Sequence, residues 1–253
     1  MSDPFGLVGK NILVTGGTRG IGRAVSLRFA QAGARVLASY VRDAPAADHL
    51  RQEAQAARLE LDTFRGDLTG EKGITGLVEE VRARFAPLSA LVHCAATGVH
   101  RPLEQLTLRH FDWTFALNVR ALFDLTQRLL PLFAPKASIV GVSSEGARHA
   151  VPQYTLVGSS KGALEAMLRH LAAELAPRGI RVNILAPGSI ATDAWKAMPD
   201  AQQRLASEAA RTPLQRLCTP EEIAHAAQFL CSDAASGLVG HTLVVDGGAD
   251  LVG

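Results

Sequence analysis

The chain has little cysteine, almost no net charge and no long apolar run, and each shortage removes a class of function. Its three cysteines, Cys94, Cys218 and Cys231, are scattered without a CxxC pair. That spacing offers neither a disulfide framework nor a zinc site, and reduced buried thiols are expected instead. Twenty-six basic side chains against 24 acidic ones leave +2, and no basic block gives the footprint of a nucleic-acid binder. No stretch reaches the roughly 18 apolar residues of a membrane span. The opening "MSDPFGLVGKN" has no apolar core of a secretory signal, so a soluble, cytoplasmic protein is expected. What is present is a composition 47% hydrophobic and 20% charged over 253 residues. That is enough to fill a core and excludes global disorder.

Short apolar runs alternate with longer amphipathic ones. Strands are predicted over 11–17, 34–40, 88–96, 137–144, 180–188 and 241–248, each with a β-branched apolar centre, which suits buried parallel strands. A further strand, third in order, precedes "RGDLT" at 65–69. Helical patterns occupy 20–32, 45–57, 71–85, 107–133, 158–176 and 220–232, with Pro87, Pro177 and Pro220 at boundaries where proline is tolerated. This alternation predicts a single α/β domain over 1–253, a doubly wound parallel sheet with helices on both faces. Segment 189–219 breaks the rhythm, being helical with no strand of its own. Lying after a strand's carboxyl end, it is a candidate substrate lid.

The first strand runs into "NILVTGGTRGIG", which sets Gly16, Gly20 and Gly22 before the first helix. Glycine there lets the backbone approach a pyrophosphate, and the helix start favours its negative charge. Asp67 could accept from an adenine amino group or equally cap the following helix. At the end of the second strand, an NAD enzyme needs an acid for the ribose 2′-hydroxyl. Here the sequence is "SYVRD", with Arg42, and Arg19 lies in the glycine loop. Two guanidinium groups favour a 2′-phosphate, hence NADPH.

With "TGGTRGIG" (15–22), Asp67, "HCAA" (93–96), Asn118 in "LNVRA", Ser143–Ser144, Lys161 in "SSKGAL", "PGSIAT" (187–192) and "GHTLVVDGG" in this order, the chain resembles the short-chain dehydrogenase/reductase family over essentially its whole length. The resemblance implies a Rossmann-type homotetramer that moves hydride between a nicotinamide and a carbonyl or activated alkene. It places the cofactor along Gly16, Thr18, Arg19, Gly20, Ile21, Gly22, Arg42, Asp67, Leu68, Ala95, Lys161, Pro187, Gly188, Ile190 and Thr192. One departure is "HCAA", where the family has Asn-Asn-Ala-Gly.

The other departure is the acid. Most of the family sets a tyrosine four residues before the lysine, but that place is Val157 here, and valine donates no proton. Tyr154 stands seven before Lys161, the spacing of the enoyl-acyl-carrier-protein reductase branch, and the local wording is similar to the NADPH-using reductase III of that branch. Hydride there goes to the β-carbon of an unsaturated thioester, and charge develops on a more distant oxygen that an earlier phenol can reach. The resemblance implies Tyr154, Lys161, Ser144 and Asn118 as catalytic residues. Tyr154, Ser144 and Trp195 would meet an acyl thioester on acyl carrier protein or coenzyme A, as in fatty acid biosynthesis. Two rivals remain: a carbonyl reductase of the same family, and an NADP(H)-binding sensor without catalysis. No metal, nucleic-acid or membrane partner is expected.

Overall fold

The computed structural model describes residues 5–191 and 201–252. Seven strands form one sheet: β1 Asn11–Thr15, β2 Arg35–Tyr40, β3 Leu61–Arg65, β4 Leu88–His93, β5 Phe133–Val142, β6 Arg181–Pro187 and β7 Thr242–Val245. Their order is β3-β2-β1-β4-β5-β6-β7, and every pairing is parallel. The helices are α1 Gly20–Gln31, α2 Ala44–Ala56, α3 Glu71–Arg84, α4 Leu108–Phe115, α5 Ala121–Leu129, α6 Thr155–Leu175, α7 Ala201–Ala210, α8 Pro220–Cys231 and the short α9 Ala249–Val252. The winding reverses between β1 and β4, and ligands bind above the carboxyl ends at such a reversal.

The pleat of the strands sorts the core. Ile12 and Val14 of β1 join Val25 and Phe29 of α1 and Ile223 and Leu230 of α8 in one apolar layer. Leu13, between them, points the other way, to Leu77 of α3, Leu125 of α5 and Leu164 and Leu168 of α6. A parallel sheet buried on both faces therefore needs apolar residues at consecutive positions, which is why these strands read as unbroken runs. Each fully buried Leu or Phe contributes about 1.5–3 kcal/mol relative to exposure.

Local chemistry sets the helix ends. Thr107 caps α4, its hydroxyl accepting from the His110 N–H at 3.3 Å while the His110 ring accepts from the Thr107 N–H. Thr219 and Glu222 form the same reciprocal box at the start of α8, with Pro220 in the first turn. The helix expected over 107–133 is interrupted: residues Ala116–Arg120 form a π-helical turn between α4 and α5. Helix α6 starts at Thr155, three residues earlier than expected, so Tyr154 is its N-cap residue. In segment 189–219, Ile190 and Cys218 pair as a parallel bridge, which ties its two ends together around α7.

Candidate active site

The turn out of β1 lies against the end of β4. Gly16 has φ +64°, and a Cβ there would stand 2.8 Å from Ala95 Cα, so only glycine leaves this cradle open. Helix α1 follows without a side-chain cap or an acidic residue in its first turn, and its free N–H groups suit a phosphate. Thr18, Leu68 and Ala95 are buried, and Ile21 is half-buried. Asp67 is exposed and spends Oδ1 on the Thr69 N–H (2.9 Å) and hydroxyl (2.8 Å). Arg42 is exposed just past β2. Asp43, the last residue of "SYVRD", follows Arg42 directly. Asp43 caps α2 through Ala46 N–H and pairs with the Arg19 guanidinium at 3.3 Å. An open cradle, a bare helix start and two arginines fit a dinucleotide carrying an extra phosphate.

Helix α6 carries Val157, Lys161 and Glu165, four residues apart and all three buried, and the last two meet the end of β5. Lys161 Nζ donates to Val142 O at 2.8 Å. Burial pushes the Lys161 ammonium down to about 8. One residue along, the Ser143 hydroxyl donates to the buried Glu165 carboxylate at 2.7 Å. The Tyr154 hydroxyl lies 3.5 Å from Ser144 Oγ, at the outer limit of a hydrogen bond. The Tyr154 ring lies in a slot left by Gly146, where a Cβ would come within 2.5 Å of Tyr154 Cε1, and His100 meets it edge-on at 5.0 Å. Burial raises the Tyr154 pKa, with the Glu145 charge adding and the Ser144 contact opposing. The phenol therefore keeps its proton at neutral pH. Val157 packs its Cγ2 into the space a Cβ on Gly98 would need.

Asn118 sits in the π-turn, fully buried. Its Oδ1 accepts from Thr97 N–H at 2.8 Å, and its amide reaches Thr97 O and Ser160 Oγ, each at 2.9 Å. The side chain expected to be catalytic thus clamps the loop after β4 to α6. His93 continues the same bracing. Its Nε2–H donates to Leu117 O (3.3 Å), and its Nδ1 accepts from the Thr15 hydroxyl (2.8 Å), which accepts from Ala95 N–H. Burial first, and the Lys161 charge second, lower the His93 pKa to about 3, so the imidazole is neutral.

Ser144, Tyr154 and Lys161 line one cavity of about 920 Å³ with Ile21, Pro187, Gly188 and Ile190. Gly20, Gly22, Arg19, Arg42 and Asp67 lie outside its lining. Thr192 and Trp195 fall outside the described residues. Cavity residues given no role from the sequence include Glu145, Ser189, Glu208 and Arg211; of these only Ser189 lies in a motif, "PGSIAT". Among the described residues, no group of three His, Cys, Asp or Glu could hold a metal ion, and no helix is long and apolar enough to cross a membrane.

A family model described as enoyl-(acyl carrier protein) reductase matches residues 16–250. The chain is 35% identical to 7α-hydroxysteroid dehydrogenase of Escherichia coli (strain K12), across 98% of this chain and 96% of that protein. It is 34% identical to 1-cyclohexenylcarbonyl-CoA reductase of Streptomyces collinus, across 95% and 86%. A solved structure from Beutenbergia cavernae, described as a candidate NAD(P)-dependent gluconate 5-dehydrogenase with bound NADP at low occupancy, superposes with a TM-score of 0.90. It is 32% identical, over 98% of this chain and 100% of that one.

Proposed function

The chain belongs to the short-chain dehydrogenase/reductase family and is an oxidoreductase, and from this premise we propose that it reduces the C=C bond of an α,β-unsaturated acyl thioester with NADPH. The observation that carries the proposal is the place of the phenol. Tyr154 reaches the cavity beside Ser144, while Val157, where most of the family has its acid, is packed against Gly98.

NADPH would lie along the Gly16–Gly22 turn, with Arg19 and Arg42 toward its 2′-phosphate and Lys161 toward its nicotinamide ribose, and when bound it supplies hydride. The protein's own residues do the rest. The protonated Tyr154 phenol donates a hydrogen bond to the thioester oxygen, on which charge collects as the β-carbon is reduced. Such a donor is worth about 2.7–4 kcal/mol of barrier. A proton from solvent then adds at the α-carbon and discharges the oxygen. Ser144 holds the phenol, and Lys161 holds the end of β5 through Val142 O. Asn118 and His93 are positioning residues, since they fix the loop that carries Cys94–Thr97. The acyl group would arrive on coenzyme A or an acyl carrier protein, in keeping with a relative named for an alkenyl thioester. A homotetramer belongs to the same proposal, and light scattering checks it.

A second reading, reduction of a carbonyl, is favoured by the likeness to a hydroxysteroid dehydrogenase. Following NADPH oxidation with crotonyl and acetoacetyl thioesters in parallel separates the two. Turnover of the crotonyl thioester is expected; turnover of the acetoacetyl thioester alone overturns the proposal.

A further inference from the structure

The oxygen of Tyr154 depends on packing more than on hydrogen bonds for its place. Helix α6 fixes the backbone, since the Tyr154 carbonyl accepts from Gly158 N–H at 2.8 Å. The hydroxyl is held less firmly, because its Ser144 contact at 3.5 Å lies at the limit of a hydrogen bond. Rotation about the Cα–Cβ bond would swing the oxygen away from the reacting atoms. Packing of the ring must therefore oppose that swing.

Two kinds of neighbour border the ring. Gly146 and Gly158 leave it room: a Cβ on Gly146 would come within 2.5 Å of Tyr154 Cε1, and one on Gly158 within 3.3 Å of Cδ1. Glycine makes space but offers no side chain to grip. The grip comes from His100, whose ring stands 5.0 Å from the Tyr154 ring at an interplanar angle of 88°. That is the edge-to-face arrangement aromatic pairs prefer. The loop that carries His100 is tied on both sides of it. Asn118 binds the N–H and C=O of Thr97 at 2.8 and 2.9 Å, and Arg101 N–H donates to Gln153 O at 3.1 Å. The second tie joins the residue after His100 to the residue before Tyr154, so both rings are presented from one clamped frame. Both residues line the cavity.

We propose that His100 is a positioning residue for the phenol: its ring keeps the Tyr154 hydroxyl turned toward the substrate oxygen. It forms no bond to substrate and moves no proton. A side chain without a ring at position 100 lets the phenol visit other rotamers, and the fraction of time it spends in reach of the thioester falls. An edge-to-face pair biases such a population by about two- to tenfold, which sets the size of the effect. The inference rests on the enoyl-thioester reading for what the phenol does, and on the ring geometry alone for how the phenol is held.

A double-mutant cycle on the full chain tests this, read as the single-turnover rate of NADPH oxidation with crotonyl thioester. His100→Leu is expected to lower that rate about two- to tenfold with NADPH affinity unchanged. His100→Phe, which keeps a ring, should recover most of the loss. In a Tyr154→Phe background, where no hydroxyl remains to be placed, His100→Leu should change nothing further. An equal loss in that background, or a full rate in His100→Leu, overturns the inference. The ring contact itself is read without turnover. The chain has two tyrosines, Tyr40 and Tyr154, so carbon-13 labelling of tyrosine rings gives NMR signals that Tyr154→Phe assigns. The Tyr154 signal is expected to move in His100→Leu while that of Tyr40 stays; an unmoved Tyr154 signal overturns the contact and the inference with it. If the natural sequence reduces acetoacetyl but not crotonyl thioester, the enoyl reading fails, and the same cycle on that substrate still decides whether His100 acts through Tyr154.

Discussion

Removing one oxygen at Tyr154 separates its chemistry from its packing, because the ring rests in the Gly146 slot and only the hydroxyl reaches Ser144. Tyr154→Phe is expected to keep the fold and NADPH affinity while lowering kcat on crotonyl thioester by about two orders of magnitude or more. Stopped-flow turnover beside fluorescence titration of NADPH measures both; a variant with full turnover would sink the role given to the phenol. Lys161 makes a different, pH-dependent claim. Burial holds its ammonium at about 8, below the ordinary lysine value, so the charge that would face a ribose oxygen is lost above that pH. NADPH binding should weaken as pH climbs past about 8. In Lys161→Met the affinity should be lower and free of that trend, and equal pH trends in the two proteins would exclude the coupling.

At the scale of elements, the junction between α4 and α5 decides how the site is held. A π-turn adds one residue to the helical path and swings Asn118 inward to three hydrogen bonds. Asn118→Ala leaves the Thr97 N–H and C=O without their buried partner and should cost about 2–4 kcal/mol. For a chain of this size that corresponds to a Tm lower by about 5–10 °C, which calorimetry reads. A Tm within a degree of the natural sequence would show that the clamp carries no load. The π-turn was not legible in "FDWTFALNVRAL", because an i→i+5 step leaves the apolar pattern of the two flanking helices intact. Edge strand β3 was visible only through Asp67, since "LDTFR" is half-buried and lacks the continuous apolar run of β1 or β4. The spacing of Ser144, Tyr154 and Lys161 was legible as a pattern, and the structure sets all three along one cavity, because α6 and the turn before it convert sequence intervals directly into positions. The meeting of His100 with Tyr154 had no such signal. It exists only once β4 and β5 are laid side by side and the loops after them are tied together.

For the whole molecule, the site and the core share a load at His93. This side chain ends β4, is fully buried, and links β1 to the π-turn through Thr15 and Leu117. In the folded state its pKa is near 3, against 6.5 for an unperturbed imidazole. The unfolded chain therefore takes up a proton that the folded chain refuses, over the interval from about 6.5 down to about 3. Stability that is fully present above pH 6.5 must fall as the pH drops through that window, by on the order of 4 kcal/mol from this one group. Above pH 6.5 His93 contributes no pH dependence. Asparagine, which the family places at the corresponding position, does not titrate and can still donate and accept. His93→Asn should therefore lose less stability between pH 6.5 and pH 4 than the natural sequence, whatever its stability at pH 7. Urea unfolding at four or five pH values measures both slopes, and the difference between them cancels the carboxylates common to the two proteins. Parallel slopes would mean that the folded interior admits the imidazolium, and that the Ala95–Thr15–His93–Leu117 chain does not hold the neutral tautomer assigned to it.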